Sequence, residues 1–133
     1  MSVKISASAG YLPKRIVTND ELASIMETSD EWIRSHTGIE TRHFAIGENP
    51  SDMAAKVAVS LMEKAEVSPE EIDLIIVSTI SPDSITPSTA ALVQGKTGCV
   101  NAFAYDISAA CAGFVFALST AEKFIRCGQY EKA

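Results

Sequence analysis

The sequence is poor in the residue patterns that mark secreted and metal-binding proteins. It has only three cysteines among 133 residues, and an odd number at irregular spacings does not form a disulfide framework. This usage is typical of the reducing cytosol, so we expect a cytoplasmic protein. There is no C-x-x-C pair, and the two histidines, His36 and His43, do not form an H-x-x-x-H pattern. No metal site is therefore predicted.

Basic charge and long apolar runs are also scarce. The chain has 11 Lys and Arg against 17 Asp and Glu, which disfavours a nucleic-acid partner because such binding requires clustered basic side chains. No apolar run approaches the roughly 20 residues of a membrane span. We recognise no signal peptide at the start, and we expect no membrane partner. What the chain does have is 47% hydrophobic and 21% charged residues, a composition typical of a globular domain with its own core.

Capping residues and apolar spacing predict five helices. Asn49-Pro50-Ser51-Asp52 is a typical helix start, and the apolar residues after it recur at helical spacing. Gly38 and Gly98 are predicted to end helices in the left-handed conformation. The predicted helices are Asp20–Met26, residues 28–37, the helix that follows Asn49–Asp52, Ser88–Lys96 and Ala112–Arg126, with a further helical turn at Pro69–Glu71.

Three segments are predicted as strands. Val3–Ala9 alternates apolar and small polar residues, as a strand does. Leu74–Val77 is a continuous apolar run, typical of a strand buried on both faces, and Ala102–Ile107 is predicted to be another buried strand. The order of strands and helices predicts an α/β fold in which helices cover a sheet. Because residues 128–133 resemble a loop that leads into another strand, we expect the chain to stop in the middle of a fold.

The segment Asp106–Phe114 joins the last predicted strand to the last helix and contains the candidate nucleophile, Cys111. Unpaired N–H groups and the dipole at a helix start favour a thiolate and can hold an oxyanion. Small neighbouring residues leave room for a substrate carbonyl beside the sulfur. The alternative is an inert, buried cysteine, since free cysteines are often buried. Cys99 and Cys127 are predicted to have structural or neutral roles.

The last predicted helix, Ala112–Arg126, is apolar almost all round, which is typical of a buried helix. Cys111 at its start would then lie at the floor of a tunnel and not on an open surface. The apolar residues of this helix are Phe114, Val115, Phe116, Ala117, Leu118, Ala121, Phe124 and Ile125.

Two motifs resemble the initiating, type III β-ketoacyl-[acyl-carrier-protein] synthases of bacterial fatty-acid synthesis. One is Thr28-Ser29-Asp30-Glu31-Trp32-Ile33, followed by Thr37-Gly38-Ile39 and Arg42. The other is Asp106–Phe114, with Pro87-Ser88 between the two. The resemblance implies the N-terminal half of a thiolase-like, five-layered α-β-α-β-α sandwich, usually found in a homodimer. Residues 1–133 would form that half-domain, without the C-terminal half.

The resemblance also implies an activity. Cys111 takes an acyl group from acyl-CoA, and malonyl-[acyl-carrier-protein] then condenses with it, with loss of CO2, to give 3-ketoacyl-[acyl-carrier-protein]. No cofactor is implied, since acyl-CoA is a substrate. In the family a His and an Asn from the second half stabilise the enolate, so we expect the 133-residue chain alone to be inactive. Because carrier proteins are acidic and this segment is acidic too, the docking patch is expected mainly on the second half.

Four residues match family positions near CoA. The resemblance implies that Trp32 stacks on the adenine and that Thr28 and Thr37 lie near the nucleotide. From the residues alone, Trp32 could instead cover the rim of the core, and the threonines could be a helix cap and a helix stop. His36 stands where the family usually has Arg. An imidazole offers neither a fixed charge nor a guanidinium fork, so this contact is expected to be weaker.

Thr86 matches the position where the family places a residue from one subunit at the end of the partner's acyl pocket. A large aromatic residue there shortens the pocket. Thr86 is small, so we expect primers longer or more branched than acetyl to be accepted. Its alternative reading is an ordinary loop residue before Pro87.

Two other classes of function remain open from the sequence. A different thiolase-fold enzyme, such as a secondary-metabolite synthase or a hydroxymethylglutaryl-CoA synthase, would use the same cysteine chemistry. A truncated, non-catalytic paralogue would use Cys111 only for packing.

Overall fold

The computed structural model describes residues 2–133 as two compact units. The larger unit contains the residues up to Tyr11 together with Asn49–Ala133, and the smaller one is Leu12–Glu48. Each unit is described by itself.

The smaller unit pairs two short strands and carries two helices. Its elements are β1 (Arg15–Thr18), α1 (Asn19–Ala23), α2 (Asp30–Thr37) and β2 (Thr41–Phe44). Strands β1 and β2 are antiparallel, with Arg15 opposite Phe44 and Thr18 opposite Thr41. The sequence analysis missed both strands, because each has four residues and only Val17 among them is buried. Alternation over so short a length gives no readable period.

A buried amide holds the smaller unit together. Asn19 is 1% exposed and donates to the Asp30 carboxylate at 2.7 Å and to the Ile39 carbonyl at 2.9 Å. Its own side-chain oxygen accepts from Arg42 at 2.6 Å. Buried polar groups are stable only when they are hydrogen-bonded in this way. The first turns of α1 and α2 are therefore tied to β2 by side chains far apart in the sequence.

Helix α1 is shorter than predicted, since it ends at Ala23 and not at Met26. Thr18 caps it by accepting from the Glu21 N–H at 3.2 Å. Gly38 ends α2 with a φ of 71°, which confirms the predicted left-handed stop.

The larger unit has a parallel pair of strands with helices packed on it. Its elements are α3 (Pro50–Ala65), β3 (Leu74–Ser78), α4 (Thr89–Thr97), β4 (Phe103–Ile107) and α5 (Gly113–Arg126), with 3₁₀ turns at Pro69–Glu71 and Ala110–Ala112. Strands β3 and β4 run parallel, with Leu74 beside Phe103 and Ser78 beside Ile107. A parallel pair needs a crossover between its strands, and α4 supplies it. These elements match the predicted order from Asn49 onward.

The core of the larger unit lies between the strand pair and α3 and α4. Leu74, Ala90 and Val93 are at most 2% exposed. Cys99 is 1% exposed, with its sulfur 3.8 Å from the Met62 sulfur, which confirms its predicted structural role. Ser88 is the N-terminal cap of α4, and Gly98 ends the helix with a φ of 75°, at the predicted stop.

Three strand predictions need correction. Ala102–Ile107 is not a buried strand, because β4 starts at Phe103, which is 54% exposed, and its other residues are half-buried. Val3–Ala9 forms no strand, because no other segment of residues 2–133 pairs with it, and a strand is stable only as part of a hydrogen-bonded ladder. The prediction that Leu74–Val77 is buried on both faces is also wrong for this chain. Only Leu74 is buried, and the three residues after it are half-buried, because β3 has a single neighbouring strand.

Within residues 2–133, no helix has the length and apolar character needed to cross a membrane. The same residues bring together no group of three His, Cys, Asp or Glu side chains that could hold a metal ion.

An ion pair between α3 and α4 makes stability depend on pH. Lys96 donates to Asp52 at 2.5 Å, and this bond, followed by the Asn49 N–H, holds the pKa of Asp52 below its ordinary value of 3.8. A carboxyl whose folded-state pKa is lowered stabilises the fold above the unfolded-state pKa and loses that contribution as pH falls through the folded-state value.

We therefore expect the protein to unfold at a lower urea concentration as pH is lowered from 5 to 3. The urea midpoint of the Asp52→Asn variant should fall less over the same pH range than that of the parent. Equilibrium unfolding at several pH values measures both. An equal fall in the two proteins would contradict this role for Asp52.

Candidate active site

Cys111 lies in the turn between β4 and α5. Strand β4 ends at Ile107, the 3₁₀ turn spans Ala110–Ala112, and α5 starts at Gly113. The cysteine is exposed, and its turn leads directly into the helix N-terminus. The predicted position at a helix start is confirmed. The predicted alternative, a buried cysteine, does not hold in this chain.

The backbone of this turn is unusual for its residue types. Ala110, immediately before the cysteine, has a φ of 43°, in the left-handed region that alanine rarely occupies. Such a residue stores backbone strain, and strained residues persist where the surrounding structure fixes them, often at active sites. The Ala112 N–H donates to the Ala109 carbonyl at 3.1 Å and closes the turn.

Gly113 lets the start of α5 approach the end of β3. A Cβ atom at this position would lie 1.9 Å from the Ser78 hydroxyl oxygen and 3.2 Å from the Ser78 Cβ. No side chain fits there without moving Ser78. The contact fixes α5 against the strand pair, and it therefore fixes the turn that carries Cys111.

Asp106 ties the strand before Cys111 to α4. Its two carboxylate oxygens accept from the backbone N–H groups of Thr89 and Ala90, each at 2.7 Å. These donors belong to the first turn of α4, where unpaired N–H groups favour an anion. The carboxylate is held as a helix cap, which makes it a structural anchor of the site. Sequence reasoning missed this role because the partners are 16 and 17 residues away.

Helix α5 corrects the prediction of a buried helix and a tunnel. Phe114 is 72% exposed and Val115 is 63% exposed, with Phe116 and Leu118 also exposed. The prediction is wrong for this chain because nothing in residues 2–133 covers that face of the helix. Cys111 is accordingly on an open surface here. Cys127 is the C-terminal cap of α5 and is exposed, at the helix end that the sequence predicts.

Trp32 and His36 form a stacked pair on α2. The indole is 56% exposed. The imidazole stacks on it with ring centroids 4.5 Å apart and an interplanar angle of 23°. The His36 Nδ1 also lies 2.8 Å from the Trp32 carbonyl oxygen. The pair leaves the other face of the indole for a planar ligand.

The two threonines near Trp32 have different environments. The helix cap is Ser29, which accepts from the Trp32 N–H at 3.1 Å, so the alternative reading of Thr28 as the cap is wrong. The Thr28 hydroxyl oxygen is buried and has no hydrogen-bond partner within residues 2–133. It borders a shallow cavity of about 340 Å³ with Glu27, Ser29 and Trp32. Thr37 donates to the Ile33 carbonyl at 2.6 Å and so helps to end α2.

The candidate residues fall into two groups. Thr28, Trp32, His36 and Thr37 belong to the smaller unit, within or next to α2. Cys111 and Thr86 belong to the larger unit, where Thr86 is exposed in the loop between β3 and α4.

The sequence of this chain is similar to that of known synthases. A sequence model described as 3-oxoacyl-[acyl-carrier-protein] synthase III matches residues 105–133, which include Cys111. The β-ketoacyl-[acyl-carrier-protein] synthase III of Streptococcus thermophilus is 60% identical over 97% of this chain. The chain is similar to β-ketoacyl-[acyl-carrier-protein] synthase III proteins along almost its whole length. It spans about 40% of the length of the relative from S. thermophilus.

Solved structures give the same family. The 3-oxoacyl-[acyl-carrier-protein] synthase III of Aquifex aeolicus superposes with a TM-score of 0.91 at 46% identity, covering 94% of this chain and 41% of that one. A priming β-ketosynthase from the R1128 polyketide pathway superposes with a TM-score of 0.82 at 34% identity, covering 94% and 40%. The predicted family resemblance is confirmed. So is the fold class, a mixed α/β chain consistent with the N-terminal half of the thiolase-like fold.

Proposed function

We propose that this chain is the N-terminal half-domain, residues 1–133, of a β-ketoacyl-[acyl-carrier-protein] synthase III. We call the longer chain to which it would belong the full-length synthase. The observation that carries the proposal is an exposed cysteine in a strained turn at the start of α5, in the segment that the family model matches. The 60% identity to synthases of this type favours it over a secondary-metabolite synthase, whose nearest solved counterpart named above is 34% identical.

The proposed first step is acyl transfer to Cys111. The thiolate attacks the carbonyl carbon of acyl-CoA to give a tetrahedral intermediate, whose collapse breaks the C–S bond to CoA, releases the CoA thiolate and leaves the acyl group as a thioester on Cys111. Backbone N–H groups at the start of α5 would stabilise the oxyanion of the tetrahedral intermediate. Cys111 is the nucleophile in this proposal, and no cofactor takes part.

The proposed second step forms the carbon–carbon bond. Malonyl-[acyl-carrier-protein] loses CO2, and the resulting carbanion attacks the Cys111 thioester. The product is 3-ketoacyl-[acyl-carrier-protein], and the Cys111 thiolate is released. The His and Asn that stabilise the enolate would come from the second half, so the 133-residue chain alone would not catalyse this step. The full-length synthase would work in the cytoplasm as a homodimer, with Thr86 at the end of the partner's acyl pocket.

CoA recognition is proposed for the smaller unit. The exposed indole of Trp32 offers one face to adenine while His36 supports the other. The buried, unpartnered Thr28 hydroxyl beside the cavity is available to a ligand. Thr37 would lie near the nucleotide at the other end of α2. In this proposal His36 contributes to CoA binding by orienting Trp32. The arginine that the family usually has at this position would instead contact the nucleotide directly.

Removing the indole tests this assignment. Stacking of a base on an aromatic side chain contributes about 1–3 kcal/mol, so Trp32→Ala should raise the KM for acyl-CoA by roughly 5- to 160-fold. The kcat at saturating acyl-CoA should change little, because the indole does not contact the reacting carbonyl in this proposal. Steady-state condensation assays with the full-length synthase measure both constants.

Phe44→Ala is the matched control, since Phe44 is another exposed aromatic residue of the smaller unit, 40% exposed in β2. It should leave the KM for acyl-CoA unchanged. A Trp32→Ala enzyme with the KM of the parent would contradict the proposed stacking. No condensation by the parent enzyme with any acyl-CoA would contradict the proposed function itself.

A further inference from the structure

The loop that carries Thr86 is anchored by a carboxylate that the proposed chemistry does not use. Asp83 accepts from the Ser51 N–H at 2.9 Å and from the Ser51 hydroxyl at 2.5 Å. Ser51 is 0% exposed and lies in the first turn of α3. Both bonds are charge-assisted, and such bonds are stronger than those between neutral groups. The loop is therefore fixed at Asp83 to a helix more than 30 residues earlier in the chain.

The anchor is extended by a lysine from the far side of the same loop. Lys96 of α4 donates to the Ser51 hydroxyl oxygen at 2.6 Å and to Asp52 at 2.5 Å. The Ser51 hydroxyl thus accepts from Lys96 and donates to Asp83. The Ser51 hydroxyl therefore has both of its hydrogen-bond roles filled. It also links the Lys96 ammonium group to the Asp83 carboxylate.

A second carboxylate fixes the other end of the loop. Asp106 caps the first turn of α4 through Thr89 and Ala90, directly after the loop ends. Between the two anchors lie Ser84, Ile85, Thr86, Pro87 and Ser88. Within this segment the Ser84 hydroxyl donates to the Pro87 carbonyl at 3.0 Å. So short a segment held at both ends has little freedom to shift Thr86.

We propose that Asp83 is a positioning residue for primer selection: its bonds to Ser51 set the position of Thr86, and with it the depth of the acyl pocket that Thr86 closes. This inference rests on the proposed function, in which Thr86 meets the acyl chain. Asp83 itself does not touch the substrate. Loosening the anchor lets Thr86 move away from the acyl chain, which favours longer and branched primers over acetyl.

The test compares primers in the full-length synthase. The kcat/KM values for acetyl-CoA, butyryl-CoA and isobutyryl-CoA give the selectivity of the pocket. In Asp83→Ala the ratio of isobutyryl to acetyl should rise by about tenfold, since a displacement of about 1 Å at a substrate-contacting residue changes rates by up to about 100-fold. Asp83→Asn, which keeps one acceptor oxygen for Ser51, should give an intermediate ratio. A ratio that stays the same in Asp83→Ala overturns the inference.

Asp52→Asn is the matched control. It removes a carboxylate from the same turn of α3 and the other partner of Lys96, but Asp52 makes no contact with the loop among the hydrogen bonds described. Its primer ratio should remain within about twofold of the parent. If Asp52→Asn shifts the ratio as much as Asp83→Ala does, the network acts through general stability and the positioning role is overturned.

Ser51→Ala provides a second route if Asp83→Ala does not fold. It removes the hydrogen bond from the Ser51 hydroxyl to Asp83 but keeps the one from the Ser51 backbone N–H. The ratio of isobutyryl to acetyl should therefore rise, by a smaller factor than in Asp83→Ala. No movement of the ratio in a folded Ser51→Ala enzyme overturns the inference. A parent enzyme that condenses no primer at all overturns the proposed function, and the present inference with it. A parent that condenses normally while the variants keep its primer ratio overturns only the role of Asp83.

Discussion

Replacing Cys111 with alanine is expected to reduce condensation by the full-length synthase by about 10⁴-fold or more, because the acyl thioester has no other atom on which to form. The variant should fold normally, since the side chain is exposed and fills no cavity in this chain. Steady-state assays measure the loss, and the urea midpoint checks the fold.

Cys127→Ala is the matched control for that loss. Cys127 is also an exposed cysteine, but it caps the C-terminus of α5, at the opposite end of the helix from the turn that carries Cys111. Its removal should leave kcat/KM within about twofold of the parent. A Cys111→Ala enzyme that kept a tenth or more of the parent activity would show that the nucleophile is elsewhere.

Gly113→Ala is expected to damage both the fold and the site. The new methyl group would lie 1.9 Å from the Ser78 hydroxyl oxygen, so Ser78 or the start of α5 has to move. Overpacking of this kind costs about 1–3 kcal/mol of unfolding free energy. Because Cys111 is two residues away, the same movement should lower kcat by up to about 100-fold. Urea unfolding and steady-state kinetics measure the two effects separately.

Two further variants test whether the contact between Gly113 and Ser78 causes these effects. Ser78→Ala combined with Gly113→Ala removes the hydroxyl and leaves only the 3.2 Å approach to the Ser78 Cβ, so much of the lost stability and activity should return. Gly95→Ala, in the interior of α4, meets nothing within 4 Å and should stabilise the protein by about 0.5–1 kcal/mol. A Gly113→Ala protein as stable as Gly95→Ala would contradict the close approach.

Local signals were enough to predict most helices of this chain. A helix start depends on a capping residue and a helix stop on a glycine, and both are readable within a few residues. Asn49 with Asp52, Ser88, and the left-handed glycines at 38 and 98 are examples. The start of α5 beside Cys111 was predicted in the same way, from small residues between a strand and an apolar helix.

Contacts between distant residues were not predictable from such signals. The pairing of β1 with β2 depends on residues more than 20 positions apart, and neither strand has a readable period alone. The bond between Asp83 and Ser51 joins residues 32 positions apart. The burial of α5 was predicted wrongly for a related reason. An apolar helix indicates that other residues should pack against it, but its own sequence does not show whether those residues lie within this chain.

The function of the site depended on both kinds of reasoning. The position of Cys111 at a helix start is compatible with a nucleophile and also with a packing residue. The motifs around Trp32 and Cys111 led to the family, and the comparisons confirm that family. The role of each residue within it is the part that experiment has to decide.

The central claim is that Cys111 accepts the acyl group, and the most direct test is to locate that group. The full-length synthase is incubated with acetyl-CoA alone, quenched in acid, digested and analysed by mass spectrometry. We predict an acetyl thioester on the peptide that contains Cys111, lost on treatment with hydroxylamine, and none on the peptides that contain Cys99 or Cys127. An unmodified Cys111, or an acetyl group on Cys127 instead, would contradict the claim.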